Sequence, residues 1–353
     1  MKSIAGTLAA PFPYFGGKSN ACETVWAAFG DVDNYVEPFV GSAAMLLGAP
    51  DGKRVETIND ADGFVANFWR AVSHDAEAVA EACDWPTNEN DLLARHSWLV
   101  RQSAGLTDRL HADPDFYDAR IAGWWCWGAC NWIGSGWCSG EGPWIHDGER
   151  IVLGNAGRGV NRKLPHLGNA GRGVNRKLPH LGDAGRGVNR KLPHLSAGQG
   201  ASAARSAYIH EWFGMLQSRL RDVRVTCGDW GRVVKDSVTT RHGMTALFLD
   251  PPYTKGEMDY AAGGVGGALA DEVRAWCLKN GGNPLLRIVL CGHAGEHDEL
   301  LAHGWQTRTW TARKGYASTD EAVENSASET LWCSPQCVAD VPVQAGLFAE
   351  VQP

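Results

Sequence analysis

Thr245-Ala246-Leu247-Phe248-Leu249-Asp250-Pro251-Pro252-Tyr253 decides the reading of this chain. The first five residues form a short continuous run, bounded by Gly243 upstream and two prolines downstream, which predicts a buried strand. Open α/β sheets bind ligands beyond the carboxyl ends of their strands, so Asp250 to Tyr253 is expected to lie in a site. The two prolines fix φ and carry no N–H, which stiffens the loop that presents Asp250 and Tyr253. A rigid carboxylate, a rigid carbonyl and an aromatic face suit a flat amino-heterocycle: the acceptors take its amine protons while the ring stacks on the tyrosine. The same four residues also fit an ordinary strand-ending turn, so other parts of the chain must decide.

Near the N-terminus, Asn34-Tyr35-Val36-Glu37-Pro38-Phe39 reads as a strand, followed by Val40-Gly41-Ser42 and the small-residue helix Ala43-Ala44-Met45-Leu46-Leu47. A strand, a glycine turn and a helix N-terminus let backbone approach a ligand closely. A second strand, Arg54 to Ile58, ends at Asn59-Asp60. Asp60 lies 19 residues after Gly41, near the spacing at which an acid meets a ribose in nucleotide-binding βαβ units. An acid capping the next helix would look the same. The dinucleotide pattern needs three glycines at fixed offsets, and Ala43 breaks that series. This argues against NAD and for a nucleoside cofactor without phosphates.

Pro13-Tyr14-Phe15-Gly16-Gly17-Lys18-Ser19, then Tyr35 to Ser42, Asn59-Asp60 and Asp250-Pro251-Pro252-Tyr253 follow one another in a characteristic order. In this the chain resembles the D12 class of adenine-specific DNA methyltransferases, the family of the Dam enzymes, and especially its phage and prophage members. The resemblance covers about residues 11–70 and 205–335. It implies an α/β fold: a Rossmann-like, doubly wound S-adenosylmethionine-dependent methyltransferase sheet with an inserted target-recognition region. It implies S-adenosylmethionine as cofactor, duplex DNA with a flipped adenine as partner, and methyl transfer to adenine N6. Catalysis would fall to Asp250, Pro251, Pro252 and Tyr253. Tyr14, Lys18, Glu37, Phe39, Gly41 and Asp60 would bind the cofactor, with Asp229 a weaker match near its adenine. A second glycine is usual where Ala43 stands. The catalytic domain would be 1–70 with 205–353, and 71–204 the insertion. A cognate restriction endonuclease is the candidate partner for such a modification enzyme.

The chemistry follows from the amine. The N6 lone pair is delocalised into the purine, so its protons must be engaged before it attacks, here by Asp250 and the Pro251 carbonyl. N4-cytosine methylation uses the same logic and stays open, as does a catalytically inactive DNA-binding relative. Cytosine-C5 methylation needs a Cys directly after a Pro. Ser334-Pro335-Gln336-Cys337 puts Gln there, and no other Cys follows a Pro.

At 353 residues and 44% apolar content, the chain can hold one large domain and a smaller insertion. No N-terminal apolar segment and no run of about 18 apolar residues occurs, so a cytoplasmic protein, off the membrane, is expected. Ten cysteines are too sparse for a disulfide framework and read as reduced thiols. Neither Cys126, Cys130 and Cys138 nor Cys291, His293 and His297 has paired C-x-x-C spacing, so no metal is expected.

The net charge of -7 argues at first against a polyanionic partner. Its distribution argues the other way. Residues 154–195 are three near-identical 14-residue units, each reading Gly-Asn/Asp-Ala-Gly-Arg-Gly-Val-Asn-Arg-Lys-Leu-Pro-His-Leu. They carry Arg158, Arg162, Lys163, Arg172, Arg176, Lys177, Arg186, Arg190 and Lys191 against one acid, Asp183, a block of +8 that leaves -15 on the remainder. Such a block localises a DNA-contacting surface where target recognition is expected. A slippage duplication, in which one copy suffices, fits the same repeats.

Residues 64–122 read as mostly helical, with an apolar stripe over Gly63 to Val72. The aromatic stretch Trp124, Trp125, Trp127, Trp132, Trp137 and Trp144 reads better as a small core than as base-stacking surface. Glu211 to Leu220 reads as an amphipathic helix. Val223-Arg224-Val225-Thr226 and Arg287 to Gly292 read as strands, and Glu329 to Cys333 as the strand that closes the sheet.

Overall fold

The computed structural model describes residues 8–14, 18–132, 137–138, 144–146, 151–153, 202–252, 266–309 and 329–339. Tyr253 and the nine basic residues of the repeats lie outside the described residues. Seven strands form one sheet: β1 (Asn34–Glu37), β2 (Val55–Asp60), β5 (Val223–Cys227), β6 (Thr245–Leu249), β7 (Leu286–His293), β8 (Gln306–Thr309) and β9 (Glu329–Cys333). Their order is β5-β2-β1-β6-β7-β9-β8. The first five run parallel, and β9 lies antiparallel between β7 and β8. A separate hairpin pairs β3 (Trp144–His146) with β4 (Ile151–Leu153).

The parallel strands read as unbroken apolar runs because both faces of the sheet are covered. Successive residues of one strand enter different cores. Tyr35, Ala246, Phe248 and Val289 join one apolar cluster, whereas Val36, Leu247, Leu249, Ile288 and Leu290 join the other. The first cluster includes α1 (Cys22–Phe29), α3 (Gly63–Cys83), α5 (Ala119–Asn131) and α6 (Ser202–Leu220). The second includes α7 (Gly266–Asn280) and Trp230.

Glu329–Cys333 does not close the sheet as its sequence suggests. It inserts beside β7, and the outer edge is β8, whose Gln306-Thr307-Arg308-Thr309 has no apolar run to mark it. The stripe expected on α3 is also too narrow a description. All ten residues from Gly63 to Val72 are buried, because α5 and α6 pack on the helix as well as the sheet. Arg70 is among them. Its guanidinium donates to the carbonyls of Leu110, Asp113, Phe116 and Val225, tying the end of α4 (Glu89–Ala112) to β5.

Helix starts follow local chemistry. Asp62 caps α3 by accepting from Phe64 N–H at 2.8 Å, Asn88 caps α4 through Asp91 N–H, and Asp118 caps α5 through Ile121 N–H. Since α3 is continuous past residue 70, the expected boundary at 71 falls inside a helix. Trp124, Trp125, Trp127 and Trp137 of the aromatic stretch behave as core. Trp125 and Trp127 are buried, the Trp127 indole donates to Trp85 O and that of Trp137 to Trp125 O, and Trp132 stacks on His96.

Candidate active site

β1 has β2 on one side and β6 on the other, so the chain winds away in both directions from the β1/β6 junction. Crevices beyond the carboxyl ends of strands at such a switch point are where open α/β sheets bind ligands. Both expected motifs leave the sheet there, Pro38 to Ser42 from β1 and Asp250-Pro251-Pro252 from β6.

Hydrogen bonds fix the β1 side. Asp60, last in β2, accepts Gly41 N–H at Oδ2 (3.0 Å) and Asp62 N–H at Oδ1 (2.9 Å). Asn59 Nδ2 donates to Pro38 O at 3.0 Å and to Gly228 O at 2.8 Å, lacing together the ends of β1, β2 and β5. Gly41 has φ +44, and a Cβ there would stand 2.3 Å from Tyr14 Cε1, so only glycine lets Tyr14 lie on this turn. Its carbonyl accepts from Trp69 Nε1 at 2.8 Å. Ala43 takes up the left-handed conformation (φ 52, ψ 30) at the start of α2 (Ala44–Leu47), the geometry a glycine would adopt there freely.

The other expected residues have distinct surroundings. Phe39 stacks on Trp230 with ring centres 6.0 Å apart. Asp229 is exposed and caps a short 3-10 turn through Gly231 N–H. Glu37 is buried, and its carboxylate accepts from the Tyr35 hydroxyl at 2.9 Å. Burial pushes the Glu37 carboxyl up to about 8, with the Asp250 and Asp60 charges adding to it and the Tyr35 and Leu46 hydrogen bonds opposing. Burial likewise pushes Asp60 up to about 7, helped by the Asp62 charge and opposed by the backbone N–H groups it accepts. A cavity of 380 Å³ adjoins the turn, lined in part by Phe12, Tyr14, Ser19, Ser42 and Ala44.

On the β6 side, Pro251 is buried and Pro252 half-buried. Lys18, expected at the cofactor, forms its ion pairs with two carboxylates: Nζ stands 3.2 Å from Asp250 Oδ2 and 3.5 Å from Glu329 Oε1. Burial acts to lower the Lys18 ammonium, but Asp250, Cys291 and Glu329 outweigh it and the net direction is upward. Burial raises the Glu329 carboxyl, against the pull of Lys18.

The sequence reading brings Tyr14, Phe39, Gly41, Asp60 and Asp250 to one end of the sheet, and the structure has them there. It misses Glu329, Asn59, Trp230 and Trp69. Asn59 and Trp230 each adjoin an acid that the sequence singles out, but nothing local marks Glu329 or Trp69.

Seven strands in this order, two covered faces and an acid–glycine pair at the switch point define a Rossmann-like methyltransferase fold. Residues 14–96 match the family model of the D12 class N6 adenine-specific DNA methyltransferases. The chain thus carries a D12 class methyltransferase domain, and it transfers a methyl group from S-adenosylmethionine to N6 of adenine at specific sites in DNA. No curated protein matches the chain.

Proposed function

We propose that Asp250 is the acceptor that readies the target amine, and that the turn at Gly41 with Asp60 holds the methyl donor. The observation that carries this reading is the emergence of both segments at the β1/β6 switch point, with Asp250 held by Lys18. The donor set fits S-adenosylmethionine. Each Asp60 oxygen accepts a backbone N–H and has a further lone pair for a ribose hydroxyl, and the Gly41 turn lets a ligand approach the backbone. S-adenosylmethionine supplies an electrophilic sulfonium methyl.

The chain's own residues do the rest by positioning. Asp250 and the Pro251 carbonyl accept the two N6 protons, and Tyr253 stacks on the base. The N6 lone pair then points at the methyl carbon. With the donor bound, its methyl group would pass from sulfur to N6, the sulfur leaving as a neutral thioether, and Asp250 would take the proton that N6 sheds. Flipping the adenine costs roughly a few kcal/mol. Holding two reactants in line can lower the barrier by about 7–11 kcal/mol. Glu37, which accepts from the Tyr35 hydroxyl, and Asp229, which caps the turn that carries Trp230, complete the donor-binding set in this reading.

Residues 71–204 serve target recognition in this reading, with the basic repeats tracking DNA phosphates. The ten free thiols suit a reducing cytoplasm, and an endonuclease blocked by the methyl mark is the partner such an enzyme would protect against. Asp250→Ala tests the assignment of the acceptor. It should abolish methyl transfer while donor binding, followed by calorimetry, stays near wild type; transfer at the wild-type rate would rule Asp250 out.

A further inference from the structure

Lys18 is one of the most enclosed charges at the site, at 4% exposure, and it faces two carboxylates. They come from the two strands that flank β7: Asp250 follows β6, and Glu329 opens β9, where the antiparallel register sets it across from His293. Lys18 precedes α1, and its carbonyl accepts from Ala21 N–H at 2.9 Å, which anchors the backbone that delivers the ammonium. One buried cation thus has a partner on each flank of the strand that lines the site.

We infer that Glu329 is a positioning residue for methyl transfer: it tethers Lys18 so that Lys18 holds Asp250, and it keeps the ammonium paired while Asp250 takes up the N6 proton. This rests on the reading of Asp250 as the acceptor. A carboxylate that gains a proton loses its charge, and a buried ammonium beside it then loses an ionic partner, which is costly in a desolvated site. Glu329 Oε1, 3.5 Å from Nζ, supplies the second partner without movement of the backbone. Before the transfer the same contact limits the positions Nζ can occupy, and so the rotamer of Asp250 that Nζ meets at 3.2 Å. Glu329 acts through Lys18, and its effect belongs to the chemical step, not to binding.

The test compares full-length wild type, Glu329→Gln, Glu329→Asp, Lys18→Gln and the double variant Lys18→Gln/Glu329→Gln in steady-state methyl transfer to duplex DNA. Glu329→Gln should lower kcat by about 10- to 100-fold, the scale of a small misplacement of reacting groups. Its KM values for donor and DNA should stay within about twofold, the pattern of an interaction that matters only in the transition state. Glu329→Asp should recover part of kcat. The double variant should be no slower than Lys18→Gln alone, since residues acting in one chain are not additive. The inference is overturned by a wild-type kcat in Glu329→Gln, by a loss carried by KM alone, or by a double variant slowed by the full product of the single effects. Should Glu329→Gln lose its folded circular-dichroism spectrum, Glu329→Asp decides by the same kcat and KM criteria. An active Asp250→Ala would remove the acceptor reading itself; an inactive Asp250→Ala beside an unimpaired Glu329→Gln removes this inference alone.

Discussion

Lys18 Nζ lies 3.2 Å from Asp250 Oδ2, so a buried ammonium at the foot of the first helix is joined to the carboxylate that ends the fourth parallel strand from the β5 edge. The contact links the segment that matches the methyltransferase family, residues 14–96, to a strand end well beyond it. It also sets the charge balance of the site, with Glu329 as the second anion on the same cation.

Removing that cation should therefore hurt both stability and rate. Lys18→Met leaves the Asp250 and Glu329 carboxylates facing each other. Breaking a fully buried pair costs about 3–5 kcal/mol. Here the loss should be nearer 2 kcal/mol, roughly, because the two acids keep 20% and 19% of their exposure. Urea denaturation measures it, and an unchanged midpoint would mean the pair contributes nothing.

The turn after β1 carries two residues in left-handed backbone, and their substitutions should have opposite signs. Ala43→Gly removes a conformational penalty of about 1 kcal/mol and should raise the melting temperature. Gly41→Ala adds such a penalty and drives a methyl group into Tyr14, so it should destabilise the fold and weaken donor binding. Calorimetric melting and donor titration of the two variants check both signs.

Stability should fall as pH rises through the neutral range. Glu37 and Asp60 both have folded-state values raised, to about 8 and about 7, above their ordinary 4.5 and 3.8. A raised carboxyl contributes stability that is complete below its unfolded value and is lost as pH passes its folded value. The loss therefore spans roughly pH 4 to 8. Glu37→Gln removes its share of the slope and should be more stable than wild type at pH 8, where the wild-type carboxyl has begun to ionise in a buried site. A wild-type melting temperature that climbs from pH 6 to pH 8 would contradict this.

The three repeats make a separate prediction about DNA. If their nine basic residues meet phosphates, affinity for DNA should fall steeply with salt, and deleting one 14-residue unit should make that dependence shallower. A deletion that leaves salt dependence, activity and target preference unchanged identifies the extra copies as slippage.

The strands of the sheet centre were legible because burial on both faces writes itself into sequence as continuous apolar runs, as in Thr245 to Leu249. The site's local motifs were legible for a similar reason, since a strand followed by a glycine turn or by paired prolines occupies adjacent positions. What stayed hidden depends on distant pairing. β8 is a polar edge strand, and the place of β9 inside the sheet is set by its register with β7, which no local pattern encodes. Glu329 is a single acid at a strand start, and its meaning comes only from the lysine of another segment. Nor does the one-sided stripe of α3 foretell that Gly63 to Val72 are enclosed all round, because the covering helices α5 and α6 lie far along the chain.

The most direct test of the central claim is mass spectrometry of nucleosides from duplex DNA incubated with a methyl-labelled donor and either wild type or Asp250→Ala. Wild type should give labelled N6-methyladenine and the variant none. Label in N4-methylcytosine, or equal N6-methyladenine from both proteins, would contradict it.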